Sequence, residues 1–381
     1  MNKLIGIISF ITNSSHLNYG ATLHGYAFQQ VLHRKGVDSV IIDYFPKAVE
    51  GDNLKYPILN GEHNRSIVRW IAIKLNWLIG FRTNIVRYNK FGRFNERNLV
   101  TTETKYTYKS LRDAEKIDNL EIDTFVCESD VIWKVTSQDS LDENFFLDFP
   151  AARRAKKVAY APTISTKKLS GEMLEEFKGL VTSFDAISAR EKAGAEYLGE
   201  LTGKEVASVL DPTLLLEAKE YDHICIKPKE DKYLLIYNVT SNDVTMVKEA
   251  MRYAKRKGLK VIEISNYPLN GLLNPHKVRV DAGVEEWIGY IKYADVICTN
   301  SFHGFCFSVI YKKDVYLFQR DNSDYKMKNI ADILGLSERL IPYTSKIIPR
   351  EVTPIEWVAV YKELQKLRKE SNDYIDKEII N

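Results

Sequence analysis

One run of the chain, 293–319 (YADVICTNSFHGFCFSVIYKKDVYLFQ), restricts the fold more than any other. Residues 295–299 read as a short buried strand ending at Asn300 and Ser301. Residues 302–312 carry apolar side chains at helical spacing, and 314–318 return to a strand pattern. His303 therefore stands where the carboxyl end of a strand turns into a helix. Unpartnered backbone N–H groups and the helix dipole make such a turn a natural anion site. Open α/β sheets bind ligands at these ends. A plainer reading stays open, in which Asn300 or Ser301 caps the helix and His303 is incidental.

The same alternation runs through the rest of the chain. Residues 3–9 read as a first buried strand, 13–20 as a turn-rich loop, 21–35 as a helix and 37–43 as the next strand, a βαβ start without a G-x-G-x-x-G. Further strands are expected at 122–127, 157–161 and 185–190. Asp211-Pro212 breaks regular structure, and the polar stretch up to Lys232 is the best boundary. A second alternating pattern follows: a strand from Tyr233, a helix to Lys257, a strand at 260–264 and a helix at 284–294 that leads into the run described above. The expected fold is α/β, with two Rossmann-like, doubly wound domains facing across a cleft. The N-terminal domain covers 1–213, the C-terminal domain 230–350, and an amphipathic helix packs back over 351–381.

A length of 381 residues suits two domains of ordinary size, and 45% hydrophobic with 28% charged residues is a globular composition. A formal charge of +3 gives no reason to expect a nucleic-acid partner. Cys127, Cys225, Cys298 and Cys306 form no C-x-x-C pair, and at least three lie in apolar runs. They read as reduced core thiols, which points to the cytoplasm. The first nine residues are too short an apolar run for a signal peptide, and no uninterrupted apolar stretch is long enough to span a bilayer. The segment 65–93 departs from its surroundings: it is basic throughout, has no acidic residue, and interleaves Trp70, Trp77 and many aliphatic side chains. It is expected as an insertion in the N-terminal domain. Two readings are open: peripheral contact with an anionic membrane surface, on the inner face of the cell membrane, or a helix packed on the domain with solvated charges.

Several of these stretches resemble the polysaccharide pyruvyl transferase family. Ser301-Phe302-His303-Gly304, with Phe307 to Tyr311 downstream, is similar to the family's C-terminal motif. Asn18-Tyr19-Gly20 resembles its opening loop, where Asn18 offers an amide and Gly20 allows close backbone approach. Ser129, Asp130 and Trp133 match a Gly-Ser-Asp-x-x-Trp motif, except that Glu128 replaces the glycine. In this resemblance Ser129 and Asp130 hold a substrate hydroxyl and Trp133 stacks on a sugar ring. Thr163 falls where the family usually has serine, and the run around Asp211 matches a recurrent segment. Arg190, in a Ser-x-Arg-Glu context, occupies the donor-binding position, and a guanidinium there suits capture of a carboxylate or phosphate. The local alternative is a salt bridge to Glu191 or Glu196. Some members carry an arginine where this chain has Ser301, so Arg320 or Lys326 is the candidate for the missing charge, with a solvated loop position as the other reading of each.

The resemblance implies transfer of pyruvate from phosphoenolpyruvate, as co-substrate, to two hydroxyls of a hexose in capsular or exopolysaccharide biosynthesis, with an acceptor that is lipid- or nucleotide-linked. It also implies a GT-B-like arrangement. Histidine, with an unperturbed pKa of about 6.5, exchanges protons near neutrality, so His303 is expected to do acid/base work while Arg190 fixes the donor. The other six of the seven histidines show no metal-ligand spacing, and there is no H-E-x-x-H, P-loop or D-x-D triplet, so no metal or other cofactor is expected. The competing functions are a nucleotide-sugar-dependent glycosyltransferase of the same fold and a non-catalytic carbohydrate-binding protein.

Overall fold

A computed structural model of the chain describes residues 3–12, 17–49, 53–56, 67–135, 140–164, 169–240, 243–270, 274–321 and 325–381. Residues 13–16 of the expected opening loop lie outside the described residues, as do Arg65 and the side chain of Arg69.

The chain forms two compact units. The first comprises Met1–Gly51, Asn95–Leu216 and Gln365–Asn381. Its strands are β1 (Leu4–Ile8), β2 (Asp38–Phe45), β3 (Thr101–Thr107), β4 (Thr124–Glu128), β5 (Lys156–Tyr160), β6 (Ala186–Ala189) and β7 (Val206–Ser208). They pair in the order β3-β2-β1-β4-β5-β6-β7, every pair parallel. β4 is buried along its whole length, TFVCE, because helices cover both faces of a parallel sheet. β3, TTETKYT, is the opposite case: as an edge strand it buries only two of its seven residues. Its polar composition hides it from apolar periodicity, so the sequence pattern predicts no strand there.

The second unit comprises Asp52–Phe94 and Glu217–Leu364. Its strands are β8 (Tyr233–Tyr237), β9 (Lys260–Ile264), β10 (Lys277–Arg279), β11 (Val296–Thr299), β12 (Asp314–Phe318) and β13 (Leu340–Ile341). They pair in the order β10-β9-β8-β11-β12-β13, again all parallel. Both sheets thus reverse their strand order at one point, between β1 and β4 in the first unit and between β8 and β11 in the second. Two parallel, doubly wound sheets are the α/β class expected from the sequence.

The basic segment groups with the second unit. Its helices Ile67–Ile79 and Phe81–Asn98 flank Gly80, which lies against Pro268. Asn76 accepts from the Leu269 N–H at 3.1 Å, and Lys90 pairs with Glu286 at 2.7 Å. Arg87 is buried as well, so part of the charge in this segment is turned inward. The helix Trp357–Tyr374 is divided between the units at Leu364. Its later part anchors the first unit: Arg368 donates to the carbonyls of Leu214 and Leu216, and Ser371 accepts from the Leu210 N–H at 2.9 Å.

Glycine is obligatory where backbones touch. The helix Val284–Lys292 crosses the Cys225–Ile226 backbone at Gly289, where a Cβ would overlap the Ile226 carbonyl oxygen. Neither backbone can yield as a flexible side chain would, so Gly289→Ala is expected to destabilise the protein by about 2–3 kcal/mol. Urea denaturation of the two proteins measures this directly.

Candidate active site

The switch point of a doubly wound sheet leaves a crevice because the connections on its two sides depart toward opposite faces. In the first unit it lies beyond Ile8 and Cys127, the last paired residues of β1 and β4. On the β1 side, the helix Tyr19–Arg34 begins at Asn18, whose side-chain oxygen accepts from the N–H groups of Gly20 (2.9 Å) and Ala21 (3.4 Å). On the β4 side, Ser129 and Asp130 both adopt left-handed backbone, with φ of 49° and 57°. Two such residues in succession are strained. The corner is held by the Ser129 N–H donating to Tyr160 O at 2.7 Å and the Thr163 N–H donating to Asp130 O at 2.8 Å.

Asp211 organises what lies behind this corner. One carboxylate oxygen accepts from Ser129 Oγ at 3.1 Å and Arg190 Nη1 at 2.8 Å. The other accepts from the N–H and the hydroxyl of Thr213 at 3.0 and 2.7 Å. Arg190 follows β6, and its Nε donates to Glu191 at 3.3 Å, while Thr163 Oγ1 donates to the same Glu191 oxygen at 2.9 Å. The local salt bridge to Glu191 is therefore present. Burial works against the guanidinium charge, but the Glu191 and Asp211 carboxylates more than restore it, so its pKa is raised and Arg190 stays a cation. Arg190, Ser129, Asp130 and Thr163 thus form one connected network although they are spread over more than sixty residues of sequence.

A second buried pair lies beside it. Glu128, at the residue where the family motif has glycine, is fully buried, and its carboxylate is 2.7 and 3.1 Å from Nδ1 of His24, also fully buried. Burial pushes the His24 imidazole down, yet the charge and hydrogen bond of Glu128 outweigh it and raise its pKa. Nothing in the sequence singles out His24. The only available signal was its place one helical turn beyond Gly20, which does not reveal a partner 104 residues away.

Trp133 requires a correction. Its ring is 1% exposed, stacked on Phe146 at a centroid distance of 5.3 Å and met by Phe177 and Phe184, while its N–H donates to Phe145 O. No face is open to a sugar, so Trp133 is a core residue. Tyr19 is likewise buried.

In the second unit, Ser301 and His303 stand beyond β11, at the β8/β11 switch point. Asn300 bridges the two strand ends: its Nδ2 donates to Asn238 Oδ1 at 2.8 Å and its Oδ1 accepts from the Val239 N–H at 2.9 Å. Ser301 caps the helix Phe302–Ile310, accepting from the Gly304 N–H at 3.2 Å. A Cβ at Gly304 would meet Thr299 Oγ1 at 2.5 Å and the Tyr237 ring at 2.9 Å, so this glycine lets the helix press onto the strand ends. His303 is 8% exposed, edge-on to Phe302. Arg320 follows β12, the parallel neighbour of β11, and so shares this carboxyl edge; Lys326 lies in the first turn of the helix Tyr325–Ile333. The candidate residues therefore fall into two groups, one in each unit. Arg190 belongs to the first and His303 to the second.

Removing one partner of a buried ion pair leaves the other charge uncompensated, at a cost of about 3–5 kcal/mol. Asp211→Ala is therefore expected to lower stability by that amount in urea denaturation. A loss below about 1 kcal/mol would show that Asp211 does not organise this network.

Methanocaldococcus jannaschii UDP-GlcNAc 2-epimerase, solved in complex with UDP-GlcNAc and UDP, aligns over 98% of this chain and 98% of its own, with 14% identity and a TM-score of 0.48. The Neisseria meningitidis UDP-GlcNAc 2-epimerase bound to UDP-GlcNAc aligns over 100% and 94%, at 10% identity and a TM-score of 0.44. Arabidopsis thaliana UGT89C1 complexed with quercetin aligns over 100% and 92%, at 9% identity and a TM-score of 0.45. No curated protein sequence matches significantly. The sequence profile of the polysaccharide pyruvyl transferases matches residues 18–322, from the Asn18 cap through Ser129, Arg190 and His303 to just beyond Arg320, and the chain belongs to that family.

Proposed function

We propose that this protein transfers pyruvate from phosphoenolpyruvate to vicinal or 4,6-type hydroxyls of a hexose during capsular or exopolysaccharide biosynthesis. The observation that carries this reading is the family match over 18–322, which spans every candidate residue except Lys326. In the reaction the methylene carbon of the donor gains a proton while a sugar hydroxyl gives one up as its oxygen bonds to the adjacent carbon. The bond from that carbon to the phosphate oxygen breaks. A second sugar oxygen then closes the ketal and loses its proton, and inorganic phosphate is released. His303 gives and takes these protons. Arg190 binds the donor's anionic groups, and the donor carboxylate takes the place of Glu191 at Nε. Asn18, Gly20, Ser129, Asp130 and Thr163 form the acceptor side, and Ser301 with Arg320 or Lys326 completes the anion contacts. No metal or other cofactor takes part.

The test is phosphate release from phosphoenolpyruvate over a panel of lipid- and nucleotide-linked sugars, with mass spectrometry of the product. A product one pyruvyl ketal heavier supports the reading. Nucleotide release from a sugar nucleotide, without phosphate, overturns it. His303→Ala is expected to lower kcat about 10²- to 10⁴-fold with unchanged thermal unfolding. Arg190→Lys keeps the charge but loses the planar fork, and is expected to raise KM for phosphoenolpyruvate about 10- to 100-fold.

We also propose that the enzyme works in the cytoplasm and, where its acceptor is lipid-linked, on the inner face of the cell membrane. Ile71, Leu75 and Leu78, spaced along one face of the helix Ile67–Ile79, are 53%, 49% and 61% exposed, with Phe81, Arg82 and Arg93 exposed further along. Such a face, apolar with basic flanks, suits an anionic lipid surface. No helix among the described residues is long and apolar enough to cross a membrane. Sedimentation with phosphatidylglycerol vesicles is expected to exceed that with phosphatidylcholine, and Leu75→Asp with Leu78→Asp is expected to abolish it. Equal recovery with both lipids, or no loss in the variant, removes the membrane contact.

A further inference from the structure

His24 and Glu128 are fully buried, and the proposed chemistry uses neither. Their placement is specific. His24 lies in the second turn of the helix whose first turn is capped by Asn18, and Glu128 is the last residue of β4, immediately before the left-handed Ser129 and Asp130. The β1–β4 ladder ends at Ile8 and Cys127, so beyond it side chains must join the two segments. The Ser9 hydroxyl reaches Ser129 O only at 3.5 Å. The His24–Glu128 contact, at 2.7 Å and charge-assisted, is much the stronger bond. Burial raises the Glu128 pKa and the Asp211 and Asp130 carboxylates add to it, while the same two carboxylates help Glu128 to hold a proton on His24, so one proton is kept between the pair.

We propose that His24 and Glu128 form a positioning couple, which holds the Asn18–Tyr19–Gly20 turn in register with the Ser129–Asp130 corner so that the two segments shift together. Its effect on catalysis rests on the proposed acceptor role of those segments; the mechanical coupling does not.

Hydrogen exchange on the full chain separates the two. In His24→Gln and in Glu128→Gln, amide exchange is expected to rise about tenfold at both 20–21 and 129–131, including the segment that carries no substitution. The double variant, with two amides able to pair, is expected to recover protection at both. Exchange that rises only beside the substituted residue, or a double variant no better than the worse single in folding or in exchange, overturns the couple. If the wild-type protein releases no phosphate from phosphoenolpyruvate, the transferase reading fails and exchange alone judges the couple. If it does, each single variant raises the acceptor KM and leaves that of phosphoenolpyruvate unchanged, with partial recovery in the double. A fall in thermal stability with an unchanged acceptor KM overturns the positioning role.

Discussion

The candidate site in the first unit depends on one buried carboxylate. Asp211 has four short contacts, to Arg190, Ser129 and both polar groups of Thr213, and it is 1% exposed. A charge so placed is tolerable only when its acceptor positions are filled. Asp211 is itself held by its backbone: Leu210 donates to Ser371 and accepts from Tyr160 Oη, and Arg368 binds the carbonyls that follow. A helix near the end of the chain thus sets where a guanidinium in the middle of it points. Arg190 is consequently a cation whose direction is fixed by its buried carboxylate partner.

The two units repeat one solution. Each is a parallel sheet with a single reversal of strand order, and each has polar residues gathered at that reversal. In the second unit the pairing of Asn300 with Asn238 and Val239 stitches the two strand ends together, so the first turn of the helix bearing His303 starts from a rigid base. In the first unit the equivalent place is strained, with Ser129 and Asp130 both left-handed. Strain of this kind persists only where surrounding bonds over-determine the backbone, and here two backbone hydrogen bonds, the Asp211 contact and the His24–Glu128 pair do so.

Several motif residues turn out to serve the fold as directly as any chemistry. Asn18 and Ser301 are helix caps, Gly304 makes room for a helix on its strand, and Trp133 fills the core. A motif read along the chain does not separate these duties, because capping and ligand binding call for the same small polar side chains at the same turns. At Trp133, an aromatic residue near a strand end suits stacking on a sugar as well as it suits a core. Only the rings of Phe146, Phe177 and Phe184 decide between them.

The sequence by itself determined the class of fold and which strand ends carry the candidate residues. Buried parallel strands and their helices are written in local periodicity, and His303 and Arg190 could be placed at strand ends from a few neighbouring residues. It also showed the family resemblance, through motifs in the expected order. What only the tertiary structure decided are the pairings: Asp211 with Arg190 and Ser129, His24 with Glu128, and the grouping of 52–94 with the second unit. Each depends on chain segments remote in sequence meeting in a buried place, where the cost of an unpartnered charge selects its neighbour. Periodicity carries no information about that choice.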